Sequence, residues 1–181
     1  MQRTTLSLAL SAALLMAACG GGGDSQSEAA ASSRTTAPTC DIDRFTEQVV
    51  ASLNSARASA RTCGTTAYPA APPLAWHGAL ANAASVHAGD MATVGFFSHT
   101  GSNGSHYEKR IADSGYQGRV SSEILARTER IATTSMLPSS MDAWLKSPPH
   151  CAALMRADLR EVGAACQRGG GYAYIAVNFG G

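Results

Sequence analysis

Three short segments each present one side chain able to ligate a metal or move a proton: Phe96-Phe97-Ser98-His99, Ser121-Ser122-Glu123-Ile124 and Trp144-Leu145-Lys146-Ser147-Pro148-Pro149-His150. Two imidazoles and one carboxylate are what a small hydrolytic or metal site needs. Each imidazole can be a neutral nitrogen ligand or a proton shuttle near neutral pH. The carboxylate can be a third ligand or a general base. Nothing else in the chain reads as chemistry: there is no glycine-rich nucleotide loop, no H-E-x-x-H and no G-x-S-x-G. Each residue also has a bland reading. His99, in an irregular stretch between helices, is either functional or a surface histidine. Glu123 sits in an apolar extended run, so it is either solvent-facing by alternation or buried with a partner. His150 follows two prolines and opens a short helix. His87 lies on the apolar stripe of a helix, where a satisfied core histidine is the expectation. His77 and His106 read as exposed helix starts.

The elements that must position these groups follow from periodicity. Ile42, Phe45, Val49, Leu53 and Ala56 recur at helical spacing, with Asp41 as N-cap and an end near Arg61. Thr62 to Pro73 reads as a loop. Leu80, Ala84, His87 and Met91 define a second helix from about His77 to Thr93, which Gly95 breaks. Ser105-His106-Tyr107-Glu108 is a capping box opening a third helix that closes at Gly115. Gln117 to Ala126 reads as extended. A fourth helix starts near Ser139 and stops at Pro148-Pro149, and His150 to Arg156 forms a short fifth. Arg160 to Gln167 and Tyr172 to Phe179 read as two strands joined by Arg168-Gly169-Gly170-Gly171. Both strands are small or apolar on both faces, so helices should cover the sheet on each side. The expected class is α+β, a three-layer α/β/α sandwich.

The ends and the cysteines bound the setting. Arg3 followed by the apolar run Leu6 to Ala18 reads as a signal peptide, since the run is too short for a helix of about 20 residues to cross a bilayer of roughly 30 Å. Met16-Ala17-Ala18-Cys19 resembles a bacterial lipobox, with Met16 where leucine is usual. That resemblance makes Cys19 a lipidated N-terminus, and Gly20 after it resembles lipoproteins sorted to an outer membrane. Ordinary cleavage without lipidation is the alternative. Residues Gly20 to Thr39 are low-complexity and read as a flexible linker. One domain of about 140 residues, Cys40 to Gly181, is long enough for a core. Net charge is +1 with no basic run, so nucleic acid is not an expected partner. Cys40, Cys63, Cys151 and Cys166 imply two disulfides in an exported chain. The expected pairs are local, Cys40 with Cys63 and Cys151 with Cys166. A zinc site using Cys151 beside His150 matches no zinc-finger spacing.

His87-Ala88-Gly89-Asp90-Met91-Ala92, followed by Gly95-Phe96-Phe97-Ser98-His99-Thr100-Gly101, resembles the bacterial branch of the CAP superfamily, whose module is also called the SCP domain. Leu53 to Arg57, Pro73-Leu74-Ala75-Trp76, Arg110 to Tyr116, Glu123-Ile124-Leu125-Ala126, Trp144 to His150, Glu161-Val162-Gly163 and Val177 to Gly180 extend the likeness over nearly the whole domain. The resemblance implies an α/β/α sandwich with a cavity of two histidines and two acidic residues, which in some members holds zinc or another divalent ion. By motif the histidines are His99 and His150 and the first acid is Glu123. Ser147 stands where the second acid is usual, Ser122 where glycine is usual and Cys151 where arginine is usual. His87 and Ser147 are secondary cavity candidates.

Three functions follow as expectations. One is an exported, membrane-anchored and monomeric binding module for a lipid, a cell-wall fragment or a partner surface, as the resemblance implies. The second is a divalent-metal hydrolase with His99 and His150 as zinc ligands and Glu123 as general base. The third is a structural envelope protein without ligand.

Overall fold

The computed structural model describes residues 37–129 and 132–181. The expected signal peptide, the expected lipidation site Cys19 and most of the expected linker fall outside the described residues.

Helix α1 (Phe45–Arg57) leads to a small hairpin of β1 (Arg61–Cys63) and β2 (Thr66–Tyr68), then β3 (Ala75–Trp76), α2 (Gly78–Val94) and α3 (Tyr107–Asp113). Strand β4 (Val120–Glu129), helices α4 (Thr133–Lys146) and α5 (Pro148–Leu154), and strands β5 (Glu161–Gly169) and β6 (Tyr172–Gly180) complete it. The main sheet has the order β3-β5-β6-β4; β3 and β5 are parallel and the other pairs antiparallel. Gly170 and Gly171 both have positive φ (57° and 88°) and make the two-residue turn between β5 and β6, as right-handed strand twist favours.

Side-chain alternation along the strands divides the core into two layers. Ile124, Ala126, Ile175 and Val177 face one way and pack with Phe45, Val49 and Leu53 of α1 and Met136, Met141 and Trp144 of α4. Leu125, Tyr174 and Ala176 face the other way, against Ala84, Ala88 and Met91 of α2. Helices thus cover both faces, giving the α/β/α sandwich expected. Helix α2 lies close on β5 because small residues line the contact. A Cβ at Gly163 would collide with the backbone of Leu80 and Ala81.

Several boundaries differ from the sequence reading. Pro38 and Thr39 lie alongside β5: Cys166 N–H donates to the Pro38 carbonyl at 2.7 Å and Thr39 bridges Cys166 in parallel. The chain must then reverse, and Cys40, Asp41 and Arg44 all adopt positive φ. Asp41 is therefore no N-cap, and α1 starts only at Phe45, although Ile42 is still buried. The segment read as a loop after α1 contains the β1–β2 hairpin. Helix α4 begins at Thr133, ahead of the expected Ser139; it carries Pro138 in its second turn because Met136 and Leu137 anchor that turn in the core.

The same geometry corrects the disulfides. Cys40 bonds Cys166 (Cα–Cα 5.2 Å) and Cys63 bonds Cys151 (Cα–Cα 5.5 Å). Neither expected pair, Cys40–Cys63 or Cys151–Cys166, forms. Cys40 is delivered to β5 by the Pro38–Thr39 pairing, and the β1–β2 hairpin folds back onto α5. Both links are long-range, spanning 126 and 88 residues.

Candidate functional site

Glu123 owes its position to β4. A bulge between Val120 and Ser122 resets the pairing just before it, a common device beside functional sites. Glu123 then faces the α2 side with Leu125, opposite Asn178 of β6. Trp144, buried in α4, donates its indole N–H to the Leu125 carbonyl at 2.7 Å and fixes the strand from behind.

The Glu123 side chain is fully buried and both its oxygens are engaged. His99 Nδ1–H donates to Oε1 at 2.8 Å. Arg110 Nη2 donates to Oε2 at 2.9 Å. His87 Nε2 lies 3.9 Å from Oε1. Of the two expectations for Glu123, burial with a partner is the one observed.

His99 sits on the stretch between α2 and α3, which is held at successive residues. Phe97 packs under the Arg127 guanidinium, 5.3 Å from its ring centre, and Tyr172 covers the same cation at 4.8 Å. The Ser98 carbonyl accepts from His87 Nε2–H at 2.7 Å. The His99 carbonyl accepts from Arg110 at 3.0 Å, and Arg110 also donates to the Ser105 carbonyl at 2.7 Å. Asp90 accepts from the Ser102 backbone at 2.8 Å and its hydroxyl at 2.6 Å. A loop held this way presents its histidine at little further ordering entropy. The His99 side chain remains half exposed. With Nδ1–H committed to Glu123, its Nε2 carries the lone pair.

His150, part-exposed on α5, completes the pair. Burial lowers its pKa from the ordinary imidazole value, and the nearby His99 lowers it further. The adjacent Cys151 is tied to Cys63, so a disulfide does brace this helix, though not the one expected. Ser147 is the residue between α4 and α5; its side chain makes no capping bond. His87 is fully buried on α2, and burial pushes its pKa down. It is a core histidine satisfied on one side only: Nε2 pins the Ser98 carbonyl, while the buried Nδ1 has no partner. His77 does start α2, accepting from Ala79 N–H at 3.2 Å.

Arg110 is the residue the sequence reading missed. It is buried in α3 beside the core residue Ile111. The available signal was an arginine next to an apolar helical position; once buried it needs acceptors, which here are Glu123 and two backbone carbonyls.

These residues suit a divalent ion only in part. His99 Nε2, backed by a carboxylate on Nδ1, is a well-oriented nitrogen ligand, and His150 is a second. Glu123 stands behind His99 as its hydrogen-bond partner rather than beside it as a third ligand: its side chain is fully buried and it meets the imidazole at Nδ1. Among the described residues no group of three or more His, Cys, Asp or Glu is arranged to hold a metal.

A further concavity lies on the opposite face of the sheet. It is a groove of about 510 Å³ between α1 and α4, lined by Ala51, Ser52, Met141 and Leu145 and by Arg61.

The model of the cysteine-rich secretory protein family (CAP) matches residues 50–179. This chain belongs to that family. Residues Glu123 and Arg110 lie inside the matched segment, as do both histidines and the Cys63–Cys151 bridge. Among solved structures, the CAP domain is similar to NaASP2, crystallised with Zn²⁺, at TM-score 0.53 and 13% identity, covering 74% of this chain and 77% of that one. It is also similar to an outer surface protein from Borrelia burgdorferi (TM-score 0.49, 22% identity, 61% and 78% covered). An extracellular SCP-domain protein from Bacillus anthracis matches at TM-score 0.49 and 19% identity, over 60% of this chain and 34% of that one. No curated protein matches the chain.

Proposed function

We propose that this protein is an exported CAP-domain binding module that presents two imidazoles, His99 and His150, to a divalent ion or to a polar ligand. The observation that carries this reading is the burial of Glu123 behind His99 and Arg110, each of which donates to one of its oxygens. A general base needs a free lone pair within reach of its proton. Glu123 keeps lone pairs, but its side chain is fully buried, with no surface open to a water or a substrate, so binding is favoured over hydrolysis. Export is supported by two disulfides, which persist in oxidising compartments. A lipid anchor at Cys19 would hold such a module at the envelope.

Zinc supplies the probe. With two protein nitrogens and no third ligand, one weakly held ion per chain is expected, lost in His99→Ala and in His150→Ala and retained in Ser147→Ala. Binding unchanged in both histidine variants removes the site as drawn. Peptide or ester turnover that disappears in Glu123→Gln while the fold survives would restore the hydrolase reading.

The groove between α1 and α4 favours a second binding role. Its volume falls within the range of small-molecule sites. Its mostly apolar lining, with the Arg61 guanidinium held on the Ala56 carbonyl, suits an amphiphile carrying an anionic head group. Lipid extraction and mass spectrometry of the purified protein test this. The expected result is a co-purified acyl lipid that Ala51→Trp excludes.

A further inference from the structure

Helix α5, which carries His150, is seven residues long and has no side-chain N-cap. A helix shorter than about 12 residues is marginal in water by itself, so the place of α5 is set by what grips it. Much of the grip comes from one short segment, which runs from the last residue of α1 to the turn of the β1–β2 hairpin. At the C-terminal end of α5, the buried Arg57 donates from Nη1 to the carbonyls of Leu154 and Arg156, the second at 3.1 Å. At the N-terminal end the hairpin makes two contacts, and they flank His150. Cys63 is bonded to Cys151, the residue after the histidine. Gly64, with φ of 63°, runs against Pro148, two residues before it: a Cβ on Gly64 would stand 3.1 Å from the proline Cβ.

Helix geometry gives these contacts a consequence. Positions 148 and 151 are three apart and share one face of the helix, whereas position 150 points well away from that face. Cys151 is accordingly buried and His150 part-exposed. One tie would leave the helix free to turn about it; two ties a turn apart fix both its place and its rotation, and so the direction of the imidazole. We propose that the segment Arg57–Gly64 positions His150, with Cys63 and Gly64 acting through α5 rather than on the ligand. This rests on the reading of His99 and His150 as an ion-binding pair. The second disulfide supplies a control. Cys40–Cys166 ties the chain ahead of α1 to β5, and the two bridges span 126 and 88 residues. In the chain-entropy picture stabilisation grows only with the logarithm of that span, so the two bridges are worth nearly the same to the fold. They differ in which one holds the helix of His150.

The test compares zinc titrations of three variants and reads the His150 ring resonances of the metal-free protein. Cys63→Ala/Cys151→Ala and Cys40→Ala/Cys166→Ala should lose similar stability, but only the first should weaken zinc, by about tenfold or more, the scale on which groups that support a metal ligand act. Gly64→Ala keeps the bridge, puts a side chain on a left-handed residue and presses its methyl against Pro148. It should weaken zinc as well, and in the metal-free protein it should move the His150 ring resonances while those of α2 stay in place. Zinc affinity that falls equally in both double variants, or in neither, overturns the positioning role. So do His150 resonances left unmoved by Gly64→Ala. Failure of the parent to bind zinc removes the ion-binding reading instead, and the metal-free resonances then decide the positioning alone, as they do if a double variant does not fold.

Discussion

Arg110→Met removes the cation that neutralises a buried carboxylate. In the native protein Arg110 is almost fully buried and makes three hydrogen bonds, to the carbonyls of Ser105 and His99 and to Glu123 Oε2. Methionine fills similar volume but donates nothing. Glu123 Oε2 is then a buried charge without a partner, and only half-exposed His99 remains on Oε1. Breaking a buried pair in this way costs about 3–5 kcal/mol. For a domain of this size that is a fall in Tm of about 10 °C or more. Urea denaturation with matched m-values gives the loss as a shift in midpoint. Adding Glu123→Gln to Arg110→Met removes the stranded charge and should recover at least about 1 kcal/mol of the loss. An Arg110→Met loss under about 1 kcal/mol, or two single-variant losses that simply add, would refute the coupling.

Further outcomes are expected. Non-reducing peptide mapping should recover Cys40 with Cys166 and Cys63 with Cys151, and Cys40→Ser/Cys166→Ser should lose about 2–5 kcal/mol. Arg57 is fully buried and donates to the carbonyls of Pro72, Leu154 and Arg156; Arg57→Leu strands those acceptors and should cost at least about 3 kcal/mol in the same denaturation assay. His87 has a pKa lowered by burial, against the raising effect of Glu123 and with a lowering one from Arg110. Its contribution to stability is therefore complete above the unfolded value of about 6.5 and is lost as pH falls below that toward the folded value. Denaturation midpoints measured across that window should decline less steeply in His87→Phe than in the parent.

The layers were legible because apolar periodicity reports burial directly. The stripe Leu80, Ala84, His87, Met91 placed α2, and strands apolar on both faces placed β5 and β6 between helices. The opening of the domain was not legible. Asp41 carries a capping signal, yet the pairing of Pro38 and Thr39 with β5 forces a left-handed reversal there. The bridge that follows joins residues 126 apart, a separation over which local pattern carries no information. The disulfide expectation failed for the same reason. At the site, motif position located His99, Glu123 and His150 but not their roles. Whether Glu123 was a free base or a buried orienting group depended on Arg110, thirteen residues earlier on another element.

Glu123 holds His99 with its proton on Nδ1 and its lone pair on Nε2, and everything proposed for the histidine pair rests on that arrangement. Long-range ¹H–¹⁵N correlation on the folded domain reads it directly at a pH where imidazoles are neutral. The predicted result is the Nδ1–H tautomer for His99, reverting toward Nε2–H in Glu123→Ala. An Nε2–H tautomer in the unmodified protein would contradict it.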